Sequence, residues 1–537
     1  MKNLVPPAPP SANGAGRARS ANTPSPLAET GPGGEVLLEK LPRGEVFRRL
    51  LGTLASIAFL LAPASVRAEV SEPAPRPDEQ FDFMNLITQH GLHNIKDETW
   101  NAYGQFTYIT SFHPQFSAAY TNLGNPPGIG NSLLLNSEQS WTGTVTLFLG
   151  ARLWPGAQAF YVPEIIAEHA FSNLHGLGGT IQNFELQKQG SSEPLFYRSR
   201  AYIQQTIDFG GARVVQDSNP MQLGTAVDAR RLVLRAGNFS VIDFFDKNTF
   251  SGDLRQQFFN MAFLTYAAYD FVADARGYSI GGMAEAYYDD WAFRIGRFAP
   301  PQVPNGLALT LEIDKFYGDQ IEIEHDHRIF GQAGAVRVLA FHNRENMGRF
   351  RDAIAAFQAD PTMNNAANCG PRNTYVPPSQ NANAPDLCFV RVPNDKVGIG
   401  VNIEQRITDD IGVFFRGMYA DGQTEVYAFT PTDRSISFGA SAHGSAWQRP
   451  SDVAGIGAGL GWISQAHADY LRMGGIDGFI GDGTIRQAME SVIDAFYSVN
   501  VANAVWLSVD YQHITNPAFN ADRGPVEVFG ARVHAEF

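Results

Sequence analysis

Charged residues and cysteines are both scarce in this sequence, and each scarcity excludes a class of protein. The 537 residues include two cysteines, too few for a disulfide-rich scaffold, a zinc ribbon or a four-cysteine iron–sulfur site. Only 18% of residues are charged and 44% are hydrophobic, which excludes an intrinsically disordered chain. Beyond residue 68 no run of about 18 uncharged apolar residues occurs, which excludes a helical membrane protein.

Basic residues are also in deficit, with 40 Lys and Arg against 54 Asp and Glu and a net charge of −14. A nucleic-acid-binding protein needs a basic face, so no nucleic acid is expected as a partner. No nucleophile elbow, H-E-x-x-H motif or paired-carboxylate motif stands out, and we predict neither catalysis nor a cofactor. The segment Glu324-His325-Asp326-His327 looks like a metal site, but adjacent residues of a strand point to opposite faces, and we interpret it as a solvated turn.

The N-terminal 68 residues have the composition of an extension and a secretory signal. Residues 1–45 are rich in Pro, Gly, Ser and Ala. Arg48 and Arg49 then precede the apolar run 50–62, and Val66-Arg67-Ala68 forms an A-x-A-like cleavage site. An uncleaved N-terminal anchor is the alternative. We predict that 1–68 is removed on export, that 69–99 is a periplasmic linker with a short helix within 80–99, and that 100–537 is the folded domain.

The remainder contains many segments of about ten residues in which apolar and polar residues alternate. The clearest is 505–513, where Val505, Leu507 and Val509 fall on one face and Ser508 and Asp510 on the other. A soluble sandwich and a transmembrane barrel share this alternation. The 52 glycines and the 38 Phe, 18 Tyr and 7 Trp suit the aromatic-rich strand ends of a barrel.

Connection lengths favour the barrel. Very short turns are predicted at 289–290, 408–410 and 502–504, and long connections at 299–317, 343–395, 464–490 and 515–524. Short turns at one end with long loops at the other are typical of outer-membrane barrels. Seventeen segments alternate, including one at 262–270, but a bacterial single-chain barrel has an even number of strands. We therefore predict an all-β, antiparallel transmembrane β-barrel of 16 or 18 strands, with one segment miscounted between 230 and 278.

The last segment, 525–537, ends in Phe537. Phe529, Ala531, Val533 and Phe537 share the predicted outer face. A last strand of this kind is what the barrel-assembly machinery recognises, so that machinery is a predicted partner through Phe537. The other expected partners are outer-membrane lipid and lipopolysaccharide, and the predicted location is the outer membrane of a Gram-negative bacterium.

Over roughly 100–537 the sequence resembles the OprB family of carbohydrate-selective porins. The similar stretches are WPG at 154–156 with VPE at 162–164, RSRAYIQQT at 198–206, RLVLRAGNFS at 231–240, DLRQQFFN at 253–260, MGRF at 347–350, YADG at 419–422, and DYQHITNPA at 510–518 with RGPV at 523–526. Val162 departs from the pattern, since the family usually has Asn there. The resemblance implies a 16-stranded channel for small carbohydrates; the alternation and loop lengths alone indicate only a barrel.

A sugar channel needs fixed donors and acceptors for hydroxyl groups, and a guanidinium offers several donors in a rigid fork. Even spacing predicts one shared face for Arg198, Arg200 and Gln204, and another for Arg231 and Arg235. The candidate constriction residues are Glu164, Arg198, Arg200, Gln204, Arg231, Arg235 and, on a predicted inserted loop with Asp253, Arg255. The alternative is that these are ordinary charges spread along the lumen wall.

Two further expectations concern the exported protein. An oxidising environment favours a Cys369–Cys388 disulfide closing the loop 360–395, with two free thiols as the alternative.

Passive diffusion of small carbohydrates is the predicted function. A porin for small organic acids is a rival, because arginines suit carboxylates equally well, and a secreted β-rich carbohydrate-binding protein is a more distant one.

Overall fold

Sixteen antiparallel strands close into one barrel in the described part of the chain. The computed structural model describes residues 83–537 except 123–129, 189, 254, 364–382 and 503. The strands are β1 Trp100–His113, β2 Glu138–Trp154, β3 Ala157–His169, β4 Leu195–Gln216, β5 Thr225–Phe239, β6 Ser279–Tyr288, β7 Trp291–Phe298, β8 Tyr317–Ile329, β9 Gln332–Met347, β10 Val392–Arg406, β11 Ile411–Ala420, β12 Arg434–Gly444, β13 Arg449–Trp462, β14 Glu490–Ala502, β15 Val505–Thr515 and β16 Val526–Glu536.

Short helices lie before β1 and in the connections between strands. The α-helices are α1 Phe83–Gln89, α2 Phe350–Ala359 and α3 Gln465–Arg472, and the 3₁₀ turns are Phe171–Asn173, Val241–Asp243, Met261–Phe263, Pro361–Met363, Leu387–Val390, Ser445–Trp447 and Pro517–Phe519. Among the described residues no helix has both the length and the apolar character needed to cross a membrane. The short N-terminal helix predicted within 80–99 is confirmed as α1, which ends ten residues earlier.

The barrel closes where the first strand meets the last. β1 pairs with β2 on one side and with β16 on the other, with Thr107 opposite His534 and Phe112 opposite Phe529. The backbone amide of Phe537 continues this ladder by donating to the carbonyl of Gly104 at 2.9 Å. A 16-stranded barrel is confirmed.

Alternation along the strands separates an apolar outer face from a polar inner face. In β15, Leu507, Val509 and Tyr511 are exposed on the outside, whereas Ser508 and Asp510 are buried inside. Because successive side chains of a strand point to opposite faces, the pattern read from the sequence fixes both faces. The segment 324–327 follows the same rule: it lies within β8 and is not the solvated turn we predicted.

The connections fall into two sets according to the end of the barrel at which they lie. One end carries the longer ones, 114–137, 170–194, 240–278, 299–316, 348–391, 421–433, 463–489 and 516–525. The other end carries 155–156, 217–224, 289–290, 330–331, 407–410, 445–448 and 503–504, together with the start of β1 and the end of β16. In outer-membrane barrels the long loops face outward from the cell and the short turns face the periplasm.

The long connection 240–278 folds into the barrel and makes up much of its interior packing. Our prediction of a strand at 262–270 is wrong. This segment forms part of the inserted loop, and Tyr266 and Tyr269 are buried there. A strand at the membrane exposes every second residue, but nearly all residues of 256–275 are buried because this segment is surrounded by the barrel wall. Apolar content alone does not separate the two cases.

Glycines on the inner face of β13 make room for that loop. A Cβ atom at Gly457 would lie 2.7 Å from the Phe263 ring, and one at Gly459 would lie 2.8 Å from the Cβ of Ala262. Phe258 stacks on Phe263 with ring centroids 4.6 Å apart, and its centroid is 5.5 Å from that of Phe414 on β11. This side of the lumen is filled with packed side chains.

Candidate pore constriction

A cavity of about 460 Å³ lies inside the barrel on the side away from this packing. Its walls are the inner faces of β2, β3 and β4 together with the loops 170–194 and 240–278. The lining includes the predicted residues Glu164, Arg200 and Arg255. Charged and apolar side chains alternate around it, as they do in pockets that orient a small polar molecule.

Glu164 presents its carboxylate from the inner face of β3. Thr146 Oγ1, on the neighbouring strand β2, donates to Glu164 Oε2 at 2.7 Å. The hydroxyl of Tyr197, on β4, donates to Glu164 Oε1. Both donors stand on strands that flank β3, so the wall itself fixes the orientation of this carboxylate.

Arg200 faces the cavity from β4 and is held by the inserted loop. Its Nε and Nη2 atoms each donate to Asp243 at 2.7 Å, a bidentate pair. The guanidinium also lies 5.1 Å from the centre of the Tyr278 ring. Burial opposes ionisation of Asp243, but the charge and hydrogen bonds of Arg200 outweigh it and hold the pKa of Asp243 below its ordinary value.

Arg255 reaches the wall from the inserted loop. Its Nη1 donates to Thr144 Oγ1 on β2 at 2.9 Å, and it forms an ion pair with Glu185 of the loop 170–194. Asp253 Oδ1 accepts from the backbone amide of Arg255 at 2.8 Å, which fixes the local turn. Burial lowers the pKa of Arg255 from its ordinary value. Arg255 therefore joins two loops and a strand at one point of the cavity.

Gln204 and Arg235 contact each other beside the cavity. Arg235 Nε donates to Gln204 Oε1 at 2.8 Å, and Arg235 also pairs with Glu285 on β6 and lies 3.9 Å from the Phe244 ring centre. Arg231 precedes Arg235 by four residues on β5, and its guanidinium lies 3.9 Å from the centre of the Tyr287 ring. Arg231 and Arg235 thus share the inner face that their spacing predicts.

Arg198 does not join the others, and the shared face that we predicted for Arg198 and Arg200 is wrong. Val162 pairs with Arg200 whereas the next residue, Pro163, pairs with Arg198, so Ser199 is an extra residue in a β-bulge. Proline has no N–H for the ladder, and bulges are places where strands accommodate it. Arg198 is consequently exposed on the outer face.

The sequence did not reveal the partners of these arginines. Asp243 lies 43 residues beyond Arg200, and Glu185 is 70 residues before Arg255, so no local spacing connects either pair. One local signal was present: Ser240 and Asp243 form a capping box, in which the backbone amide of Ser240 donates to Asp243 at 2.9 Å. That S-x-x-D pattern predicts a turn, but it does not predict an ion pair.

A ladder of opposite charges continues along the wall from β6 to β10. Arg294 Nε donates to Glu285 Oε2 at 2.8 Å and its Nη1 donates to Glu324 Oε2 at 2.6 Å. Arg337 Nε in turn donates to Glu324 Oε2 at 2.7 Å. These side chains satisfy one another across neighbouring strands, which makes them part of the wall structure.

Comparison with known proteins gives the family. The profile described as "Carbohydrate-selective porin, OprB family" matches residues 164–537, more than half of the chain. The chain belongs to the OprB family of carbohydrate-selective porins. The family and the fold point to a channel rather than an enzyme: an outer-membrane carbohydrate porin of a Gram-negative bacterium, with sugars as its permeants.

A solved porin shares the fold of this OprB-family chain. A high-pH structure of Pseudomonas putida OprB is 13% identical, with a TM-score of 0.56, over 82% of this chain and 94% of that one. The outer-membrane channel DcaP of Acinetobacter baumannii is 9% identical, with a TM-score of 0.42, over 82% of this chain and 97% of that one. No curated protein matches this sequence.

Some predictions fall outside the residues that the structure describes. The extension and signal within 1–68 lie there, as does Cys369, so the disulfide with Cys388 stays a prediction. Cys388 itself is buried in the 3₁₀ turn Leu387–Val390, and its amide donates to Asp386 Oδ1 at 3.0 Å.

Proposed function

We propose that small neutral sugars pass through the cavity in contact with Glu164, Arg200 and Arg255. A carboxylate accepts hydrogen bonds from hydroxyl groups, and a guanidinium donates to them, so the two types together suit a polyol. The observation that carries the proposal is the bidentate pair of Arg200 with Asp243, which holds a guanidinium at the cavity wall in one orientation. Gln204, Arg231 and Arg235 support this wall in our proposal, and Arg198 takes no part.

Charge pairing favours a neutral permeant over an organic acid. Arg200 is paired with Asp243, and Arg255 with Glu185, so both of these guanidinium groups are accompanied by a carboxylate. Among the described residues that line the cavity, five are acidic and five are basic. An anion entering the cavity would meet Glu164 and these carboxylates as well as the arginines. A hydroxyl group avoids that repulsion and still uses the remaining donors and acceptors.

Replacement of Arg200 tests the proposal. Arg200→Ala should weaken sugar block of single-channel current about tenfold, because donors worth roughly 0.5–1.5 kcal/mol each disappear. It should also shift ion selectivity towards cations, since a fixed positive charge is lost while Asp243 remains. Planar-bilayer recordings with mono- and disaccharides, together with reversal potentials, measure both effects.

Arg198→Ala is the matched control for that experiment. It removes the same side chain two residues away, from the outer face of the same strand, and should leave sugar block and reversal potential at the parent values. Equal effects from the two variants, or none from Arg200→Ala, would contradict the assignment of Arg200 to the sugar path.

Export and insertion belong to the same proposal. Residues 1–68 are removed as an extension and signal, 69–99 lie in the periplasm, and 100–537 form the barrel. Large apolar side chains exposed on the outer face, such as Val145, Ile295 and Phe529, contact lipid hydrocarbon, with lipopolysaccharide as the outer-leaflet lipid.

Phe537 serves recognition by the barrel-assembly machinery. Its side chain is 52% exposed on the outer face at the periplasmic end of β16, where it contributes little to the interior. Deleting Phe537 should lower the amount of heat-modifiable protein in the outer membrane several-fold, while single channels of the remainder keep the parent conductance. Gel-shift assays of membrane fractions measure the first and bilayer recordings the second. Normal levels of assembled protein would contradict this role.

A further inference from the structure

The hairpin between β4 and β5 extends beyond the barrel wall. β4 pairs with β3 only up to Gln205, and β5 pairs with β6 only from Arg231 onward. The residues between, 206–230, therefore form ladder pairs only with each other. At its base the segment is held by the amide of Thr206, which donates to the carbonyl of Gly156 at 2.7 Å, and by an ion pair of Arg230 with Asp289 at 2.8 Å. We call residues 206–230 the periplasmic ribbon, since they lie at the end of the barrel with the short turns.

The ribbon bends at a pair of glycines near its base. The β4–β5 register shifts between Asp208 and Gly210 and again between Gly210 and Arg213. Gly210 and Gly211 have φ angles of 118° and 91°, a region that residues with a Cβ atom rarely occupy. Arg213 pairs with Asp208 at 3.1 Å and with Asp228 at 3.0 Å, which stabilises the bent form.

Because of this bend, the tip of the ribbon returns to the inner face of the barrel. Leu223 is fully buried, and a Cβ atom added at Gly150 on the inner face of β2 would lie 3.2 Å from its side chain. Asn101 Nδ2, on the inner face of β1, donates to the carbonyl of Gln222 at 2.9 Å. The hydroxyl of Tyr103 donates to Ser218 Oγ at 2.7 Å.

Helix α1 and the segment that follows it cover the tip. The amide of Gly224 donates to Glu98 Oε2 at 2.7 Å, and the amide of Glu98 donates to the carbonyl of Gly224 at 2.9 Å. Met84 of α1 packs with Tyr103, Phe148 and Val162 in a small cluster inside the periplasmic end. Val162 stands two residues before Glu164 on β3, so this cluster lies next to the cavity.

We propose that the periplasmic ribbon is a lid, hinged at Gly210–Gly211, that closes part of the exit from the cavity when its tip is docked. The part beyond the hinge, residues 212–228, has no ladder pairs with β3 or β6, so swinging it away leaves the wall pairing intact. The movement breaks the ion pair of Arg213 with Asp208, which spans the hinge. The docked tip is held by hydrogen bonds to Glu98, Asn101 and Tyr103 and by the packing of Leu223 and Met221, so its release is a local rearrangement that leaves the barrel wall folded. The lid rests on the channel function, but its effect on small-ion current does not depend on which sugar is carried.

A reversible bridge between tip and wall tests the movement. In Asn101→Cys/Gln222→Cys, a short thiol-specific linker with a cleavable disulfide should tie the tip in its docked position. We expect single-channel conductance in salt to fall about twofold and to return when the linker is reduced. Each single-cysteine variant, treated in the same way, is the control and should not change.

Trimming the ribbon tests the closure independently. Joining Phe209 to Arg230 through Asn-Gly, a two-residue hairpin turn, removes the tip and the hinge but leaves the wall pairing intact. Heat-modifiable migration confirms that the barrel has assembled, and conductance should then exceed that of the parent. Unchanged conductance in the bridged protein overturns the lid whatever the trimmed variant does, because the ribbon would then be a fixed part of the wall. The sugar path is tested by the loss of sugar block in Arg200→Ala, and the lid is tested by conductance in salt alone. Either proposal can therefore fail while the other stands.

Discussion

The two sides of the lumen are built from strands of the same kind but have opposite interiors. Along β2–β4 the inner face carries Thr144, Glu164 and Arg200, and a cavity lies against it. Along β13 the inner face carries Gly455, Gly457 and Gly459, and phenylalanines of the inserted loop fill the space. Both sides present apolar residues to the outside.

This difference shows that the side chains of the inner face help to determine where the inserted loop packs and where the cavity lies. Glycines let the inserted loop approach the wall so closely that no space remains for a permeant. On the other side long polar side chains connect the wall to the loop, as in the ion pair Arg200–Asp243 and the hydrogen bond from Arg255 to Thr144. The inserted loop thus packs against β13, and the cavity lies on the side of β2–β4.

The largest expected effect comes from opening the packed side. Phe263→Ala should lower the free energy of unfolding by about 3–5 kcal/mol, because its ring packs between Phe258 and Phe414 and would leave a cavity. Urea titration followed by gel shift in detergent measures the change. Phe293→Ala, on the exposed outer face of β7, is the control and should cost much less in detergent. Equal losses would show that the glycine side is not tightly packed.

A smaller effect is expected on the polar side. Arg255→Ala should lower the free energy of unfolding by about 1.5–3 kcal/mol, the range for a hydrogen bond to a charged group. The loss stays in this range because Glu185 still accepts hydrogen bonds from the hydroxyls of Thr142 and Thr144 at 2.9 Å. The same titration measures it, and sugar block should weaken in parallel. Arg255→Lys keeps the charge and should recover stability more than sugar block. Full recovery of both would show that the fork geometry of arginine is not used.

The smallest effect concerns the charge of the cavity. Lys188, on the loop 170–194, also lines the cavity. Burial lowers the pKa of Lys188 to about 7, so its positive charge is present below pH 7 and lost above it. Anion preference should therefore be greater at pH 6 than at pH 8, by about twofold in permeability ratio, and Lys188→Met should abolish this dependence. Reversal potentials at the two pH values measure it. Lys315→Met, on an exposed loop, should keep the parent dependence.

The sign of the stability effect follows from the same shift. Because the pKa of Lys188 is lower in the folded protein than in the unfolded chain, the unfolded chain binds more protons between pH 7 and the ordinary lysine pKa of 10.5. Lys188 therefore contributes a free energy of unfolding that increases as pH rises through that window. Lys188→Met should flatten the pH dependence of stability there, and a steeper dependence would contradict the assignment.

Much of the barrel follows from local pattern, since period-two alternation depends only on neighbours in sequence. The faces of 505–513 and 525–537 were predicted residue by residue. The segment 262–270 was not, because it is apolar for a reason that lies elsewhere in the chain: the wall surrounds it. Even spacing also failed at Arg198, where a bulge opposite Val162–Pro163 shifts the face, although the proline was visible in the sequence.

Pairing of the first and last strands also has a consequence for the time course of folding. Thr107 Oγ1 and His534 Nδ1 lie 2.9 Å apart across that seam, yet they are 427 residues apart in sequence. Contacts between residues so distant form slowly, because the intervening chain must first lose much of its freedom. Until the seam closes, β1 and β16 each have an unpaired edge that can aggregate with another chain. Closure of this seam should therefore be a late step, and the step most dependent on chaperones.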